Sequence, residues 1–213
     1  MKYFNYFDAC YVINLDKRVD RYNNFLNRTK DIFSCERFSG IIHDEEYNDI
    51  YKKYKIGCTL SHLAIYRLAK SNGYKNTLIF EDDCCFVDNF KDIVHDYIEQ
   101  LKNIKWDLFY LGGEINNSCH KVSNNLFRVT NGGVYNTHAY AINNTFYEKA
   151  LSINYNHIET IDLGLLNYDY TQRDYIVTDR LLCWQDGGVS DLRGYVSSTR
   201  TILENSYNKY IPK

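Results

Sequence analysis

An α/β fold with a largely parallel central sheet is predicted by three features of the chain. Short apolar segments suited to buried strands alternate with helical segments at the pitch of strand–helix units. The segment from Phe90 to Leu101 is an amphipathic helix, with Phe90, Ile93, Val94, Tyr97, Ile98 and Leu101 at offsets of 3, 4, 7, 8 and 11. The stretch TLIFEDDCCF ends an apolar strand in three consecutive carboxylates, Glu81, Asp82 and Asp83. Open α/β sheets bind ligands at that position, beyond the carboxyl ends of the strands.

The elements follow in order. ACYVIN (9–14) is an apolar run fit for a buried strand, and a polar turn leads to a helix near 20–30 with Tyr22, Phe25 and Leu26 on one face. CERFS (35–39) is a further strand. From Gly57 the spacing of Leu60, Leu63, Ala64 and Leu68 is helical, and Asn72-Gly73 ends it with residues that accept the left-handed conformation. NTLIFE (76–81) returns to strand, and WDLFYL (106–111) is another, stopped by Gly112-Gly113. Beyond residue 112 the regularity fades. LFRV, HAYAIN and LLCWQ read as strands, with one helix near 144–152 and an aromatic-rich polar stretch to the end. The second half is therefore expected to be a loop-rich, mixed extension of the same sheet. One domain is expected over 1–213, with no clear final element, so the chain is also compatible with being part of a longer polypeptide.

Composition narrows the function classes. The 213 residues suffice for a full core, and 45% hydrophobic with 24% charged residues is ordinary for a globular protein. A net charge of −2 argues against a nucleic-acid partner, and no apolar run approaches the ~20 residues of a membrane span. The start MKYFNYFDAC lacks the pattern of a secretory signal. The seven cysteines are odd in number and lack zinc-finger spacing, so the expectation is reduced, mostly buried thiols in a cytosol-like compartment.

Three stretches carry chemistry. Glu81-Asp82-Asp83 would hold a hard divalent cation that in turn holds a diphosphate, and the cation would offset the repulsion among the acids. The competing reading is a solvated turn whose acids cap the helix beginning near Asn89. In YVINLDKRVDR a strand ends at Asn14-Leu15, and Arg18 and Arg21 follow, whose forks match phosphate oxygens. Such arginines also commonly pair with neighbouring acids, here Asp16 or Asp20. In IGCTLSH, Gly57 and small polar residues open a helix whose N-terminus would favour an anion, with His62 just inside it.

Taken together, YVINLDKRVDR, IGCTLSH, TLIFEDDCCF, WDLFYLGG, HAYAIN and WQDGGVSDL appear in one order over residues 9–192. This resembles glycosyltransferase family 25, the lipooligosaccharide and collagen galactosyltransferase group. The resemblance implies a single GT-A (Rossmann-like) domain that takes a UDP-sugar and a Mn²⁺ or Mg²⁺ ion on an Asp-x-Asp-like motif, here the EDD. Residues 1–112 would form the nucleotide-sugar and metal half, and 113–213 the acceptor half. Asp83 would ligate the metal, with Glu81 acting directly or through water and His138 as a further ligand or donor contact. Ile13, Asn14, Leu15, Arg18, Arg21, Gly57, His62, Glu81 and Asp82 would line the donor. An inverting reaction needs a carboxylate base, for which Asp162 and then Asp191 are the choices. The acceptor would be a glycan, glycoprotein or lipooligosaccharide, and the setting a bacterial cytoplasm or, for a viral capsid-glycosylating domain, the host's. Two other classes remain open at this point. One is a phosphoesterase or nucleotidyltransferase using further acids such as Asp107 and Asp179; the other is a non-catalytic carbohydrate-binding homologue.

Overall fold

The computed structural model describes residues 4–43, 50–155, 160–185 and 198–212. The first half contains β1 (Ala9–Asn14), α1 (Val19–Thr29), β2 (Glu36–Ser39), α2 (Ile50–Ser71), β3 (Asn76–Glu81), β4 (Cys84–Phe86), α3 (Phe90–Leu101) and β5 (Leu108–Tyr110). The second half contains β6 (Glu114–Asn116), β7 (Cys119–Lys121), β8 (Leu126–Val129), β9 (Gly133–Tyr135), β10 (Ala139–Asn143), α4 (Tyr147–Ser152), α5 (Ile161–Asn167), β11 (Tyr175–Thr178), β12 (Cys183–Gln185) and α6 (Arg200–Tyr210).

The central sheet has eight strands in the order β2-β1-β3-β10-β5-β11-β8-β7. β1 runs parallel to β2 and β3, and β5 parallel to β11, while β10 and β8 are antiparallel to their neighbours. The expected α/β fold is thus present, with a sheet mostly parallel at its core; β10, in the middle, and β8, next to the edge strand β7, run against the other six strands. Alternation along the strands feeds two cores. Val12, Leu78, Phe80 and Phe109 pack with Phe25 of α1 and Phe90, Val94 and Ile98 of α3 on one face. Tyr11, Ile13, Ile79, Tyr110 and Tyr140 pack with Leu63 and Tyr66 of α2 and with residues of α4, α5 and α6 on the other. The sheet is the middle of three layers.

Three local expectations are corrected. α2 begins at Ile50, so Gly57 lies inside the helix rather than at its N-terminus. Its glycine is required by a chain crossing: a Cβ there would stand 2.1 Å from the carbonyl oxygen of Ile41. The anion site expected at a helix N-terminus at Gly57 is therefore not formed. The end of the chain is the helix α6, held by buried Leu203, Ser206 and Tyr207, where a polar stretch was expected. Cys10 and Cys35 form a disulfide. The register of β1 on β2 pairs Tyr11 with Glu36, which sets the preceding residues, these two cysteines, side by side. The expectation of reduced thiols fails at this pair, and with it the argument from thiols to a reducing compartment. Among the described residues no helix is long and apolar enough to cross a membrane.

Candidate donor and metal site

The three acids are separated by strand geometry. Glu81 is the last residue of β3 and continues the face of Ile79, toward α2. Asp82 and Asp83 form the turn between β3 and β4 and meet residues from the other side. They do not cap α3, whose N-cap residue is Asn89. β4 pairs with β12 so that Gln185, the glutamine of WQDGGVSDL, opposes Cys84, the residue after Asp83. Asp191 lies outside the described residues.

Asp82 is buried and accepts a hydrogen bond of 2.6 Å from Asn14 Nδ2, at the end of β1. Asn14 in turn accepts at Oδ1 from Arg37 Nε, 2.9 Å away. Arg21, on the first turns of α1, reaches across to both acids. Its Nε is 3.2 Å from Asp82 Oδ1, and its Nη2 donates to Asp83 Oδ2 at 2.5 Å. The guanidinium offsets much of the repulsion that the sequence raises. The other oxygen, Asp83 Oδ1, is buried and has no hydrogen-bond partner among the described residues. Burial raises the Asp83 carboxyl to about 7, Arg21 lowers it in part, and Glu81 and Asp82 raise it further. Burial also raises Asp82, against the opposing charge of Arg21 and the hydrogen bond from Asn14.

Glu81 has different surroundings. Its backbone N donates to the carbonyl of His138 at 2.9 Å, and its Oε1 accepts from Thr137 Oγ1 at 3.2 Å. His62 Nε2 stands 3.5 Å from the same oxygen. Burial works to raise Glu81, but His62, then His138 and Thr137, outweigh it and hold the carboxyl below its ordinary value. His62 is fully buried and joined through Nδ1 to the Tyr140 hydroxyl at 2.9 Å. The motif GCTLSH is thereby explained residue by residue. Gly57 admits the crossing chain, Ser61 Oγ accepts from Ile41 N at 2.8 Å while donating to Gly57 O, and His62 points at Glu81.

The remaining expected residues divide into near and far. Ile13 lies opposite Glu81 in the β1–β3 register and is part of the core. Leu15 accepts at its carbonyl from Arg18 N, and the Arg18 side chain pairs with Asp20 at 3.1 Å, the local pairing weighed above. His138 is fully buried with Nε2 3.2 Å from the carbonyl of Cys183. Burial lowers its pKa, and the charge of Glu81 and the Cys183 carbonyl only partly restore it. Asp162, on the first turn of α5, accepts at Oδ2 from the backbone N of Asn136 at 3.0 Å. Asn136 has a φ of 68°, a left-handed conformation unusual for a residue with a side chain, and it immediately precedes Thr137. One short segment, residues 136–138, therefore connects Asp162 to Glu81. That link is absent from any sequence spacing.

A hard cation fits the acids on one observation: the bare, buried Asp83 Oδ1 is the kind of orphaned carboxylate oxygen that a cation satisfies. The two-cation reading loses its extra acids. Asp107 accepts from Thr145 Oγ1 and Asp174 N, and Asp179 from Tyr97 and Asn125, in purely local roles.

Residues 4–165 match the family described as Glycosyltransferase family 25 (LPS biosynthesis protein). The chain belongs to glycosyltransferase family 25. It is 31% identical over 129 residues to the human protein named Inactive glycosyltransferase 25 family member 3, which covers 50% of this chain and 22% of the relative. Over 129 residues it is 27% identical to Procollagen galactosyltransferase 1 of Danio rerio, with 50% and 21% covered. The chain thus spans about a fifth of the length of these relatives. Among solved structures it is similar to a glycosyltransferase involved in the glycosylation of the major capsid of PBCV-1, with a TM-score of 0.54 at 10% identity, covering 86% of this chain and 94% of the other. At that identity the likeness speaks to the fold, which is the GT-A-like architecture that the family 25 resemblance implies.

Proposed function

We propose that this family 25 domain transfers a hexose from a UDP-sugar to a hydroxyl of a glycan, glycoprotein or lipooligosaccharide, with a Mn²⁺ or Mg²⁺ ion at Asp83. The observation that carries the reading is the Asp82-Asp83 turn at the carboxyl end of β3, with one oxygen of Asp83 buried and bare. When bound, the cation would neutralise charge developing on the departing diphosphate. Residues 1–112 would hold the donor and 113–213 the acceptor. Asn14 and Arg21 hold the turn in place, and Arg21 offers a guanidinium beside the acids for a phosphate to approach. Asp162 is the proposed base, taking the proton of the acceptor hydroxyl at its carboxylate; Asp191 is the second choice. His138 would act from beneath, through the backbone carbonyl that fixes Glu81.

A panel of UDP, GDP, CMP and dTDP sugars, with and without Mn²⁺, tests this by thermal shift, since a ligand that binds the native state raises its apparent stability. Stabilisation by a UDP-sugar that depends on Mn²⁺ supports the proposal, and no response to any nucleotide at millimolar concentration defeats it. A second reading has one observation in its favour. Arg21 spans both acids, as a catalytically silent homologue would have it, and the 31%-identical human relative carries the name inactive. Binding of UDP without release of UDP from the sugar in the presence of acceptors would select that reading.

A further inference from the structure

On the α2 side of β3 lies a second cluster, in which His62 and Glu81, expected along the donor, face each other and away from Arg21. Cys58 and His62 are four residues apart on α2 and so share one helix face. The Cys58 sulfur, a His62 ring nitrogen and a Glu81 carboxylate oxygen lie within 4.8 Å of one another. His62 is fully buried, while Cys58 and Glu81 are half-buried. Among the described residues, His62 Nε2 is buried without a hydrogen-bond partner. The other partners of the cluster are fixed: Tyr140 holds His62 Nδ1, Tyr66 holds Tyr140 at 2.5 Å, and Thr137 holds Glu81.

We propose that Cys58, His62 and Glu81 form a second metal site, for a divalent ion of the zinc class, distinct from the cation at Asp83. One sulfur, one nitrogen and one oxygen are the ligand mix of such ions, whereas magnesium and calcium call for oxygen alone. Bond lengths of about 2.0–2.3 Å in a tetrahedral site separate ligand atoms by roughly 3.4–3.6 Å. His62 Nε2 and Glu81 Oε1 are already 3.5 Å apart, and the Cys58 sulfur, within 4.8 Å of its partners, is the group that closes in. On binding, the ion replaces the thiol proton of Cys58, which leaves to solvent. Thiolate and carboxylate then balance the two positive charges, a neutral arrangement suited to a buried place. The Tyr140 hydroxyl on Nδ1 plays the part that outer-shell groups play for ligating histidines. The ion would tie α2 to the end of β3, directly beneath the Asp82-Asp83 turn, and keep a fourth position open. A plain His62–Glu81 pair accounts for the ring nitrogen but not for the sulfur beside it.

The proposal is independent of the donor reading, and cobalt tests it without any activity. Metal-free protein, kept under anaerobic conditions, is titrated with Co²⁺, whose bond to a thiolate gives a near-ultraviolet charge-transfer band. One equivalent should produce that band and tetrahedral visible absorption, and Zn²⁺ should displace both. Cys58→Ser should lose the band and bind Co²⁺ roughly 100-fold or more weakly. Asp83→Asn and Cys84→Ser should keep it. Far-ultraviolet circular dichroism checks that each variant is folded, and Cys58→Ala serves if the serine variant is not. No thiolate band in the native chain overturns the site, as does a band that survives at Cys58→Ser or disappears at Cys84→Ser.

Discussion

Replacing Asp83 by Asn should stabilise the metal-free protein at alkaline pH while removing its response to donor and cation. The Asp83 carboxyl titrates at about 7 instead of its ordinary 3.8, because burial disfavours its charge and Arg21 offsets that only in part. A carboxyl raised in this way contributes stability that is complete below its unfolded value and is lost as the pH rises through about 7. The difference, 7 − 3.8, is about 3 pH units, and at about 1.4 kcal/mol each the ionised form costs on the order of 4 kcal/mol at pH 8. Asparagine keeps the shape and an oxygen for Arg21 without that charge. The assay is urea denaturation of both proteins in EDTA from pH 4 to pH 8. Asp83→Asn should be more stable by a few kcal/mol at pH 8, with the gap closing toward pH 4. Glu81 does not obscure the window. Its lowered carboxyl contributes stability present above its unfolded value of 4.5 and lost as the pH falls through the folded value, and because both proteins carry Glu81 this loss is common to them. Mn²⁺ with UDP should reverse the order, since only the native chain gains from them. An equal or lower stability of the variant at pH 8, or a gap that does not change with pH, refutes the reasoning.

Further predictions rest on other contacts. Gly57→Ala would normally favour a helix by up to about 1 kcal/mol, but its Cβ meets the Ile41 carbonyl oxygen at 2.1 Å, so a net loss of roughly 1–3 kcal/mol is expected in urea denaturation. Tyr140→Phe removes the hydroxyl between His62 and Tyr66 and should cost about 1–3 kcal/mol, measured the same way, with both partners left unsatisfied. Asp162→Asn should lower kcat by roughly 10²–10⁴ with donor affinity unchanged, if Asp162 is the base; a change in UDP affinity alone, with kcat intact, would assign it to structure.

The fold was legible where burial imposes a period. β1, β3 and α3 coincide with their sequence patterns because each presents a continuous apolar run or stripe. The short strands β4, β6, β7 and β9 have three residues each, too few for alternation to register. α6 went unread because only Leu203, Ser206 and Tyr207 of its eleven residues are buried. α2 was started late because its opening, IYKKYK, is polar and Gly57 resembles a beginning; the crossing of Ile41 over Gly57 is a tertiary fact. The disulfide depends on strand register, which no spacing supplies. Of the residues singled out by type and place, Asn14, Arg21, Asp82 and Asp83 meet in the structure. What the sequence does not reveal is their division: Glu81 keeps the last strand position and faces His62, while Asp82 and Asp83 lie in the turn beyond it and face Arg21.

In the proposed function, Asp83 holds a cation that recruits a nucleoside diphosphate. Isothermal titration of UDP into the protein, once in Mn²⁺ and once in EDTA, measures it most directly, with Asp83→Ala as the companion. Mn²⁺ should tighten UDP binding at least tenfold in the native chain and leave it unchanged in Asp83→Ala. UDP affinity that is equal in Mn²⁺ and EDTA, or that survives intact in Asp83→Ala, would contradict it.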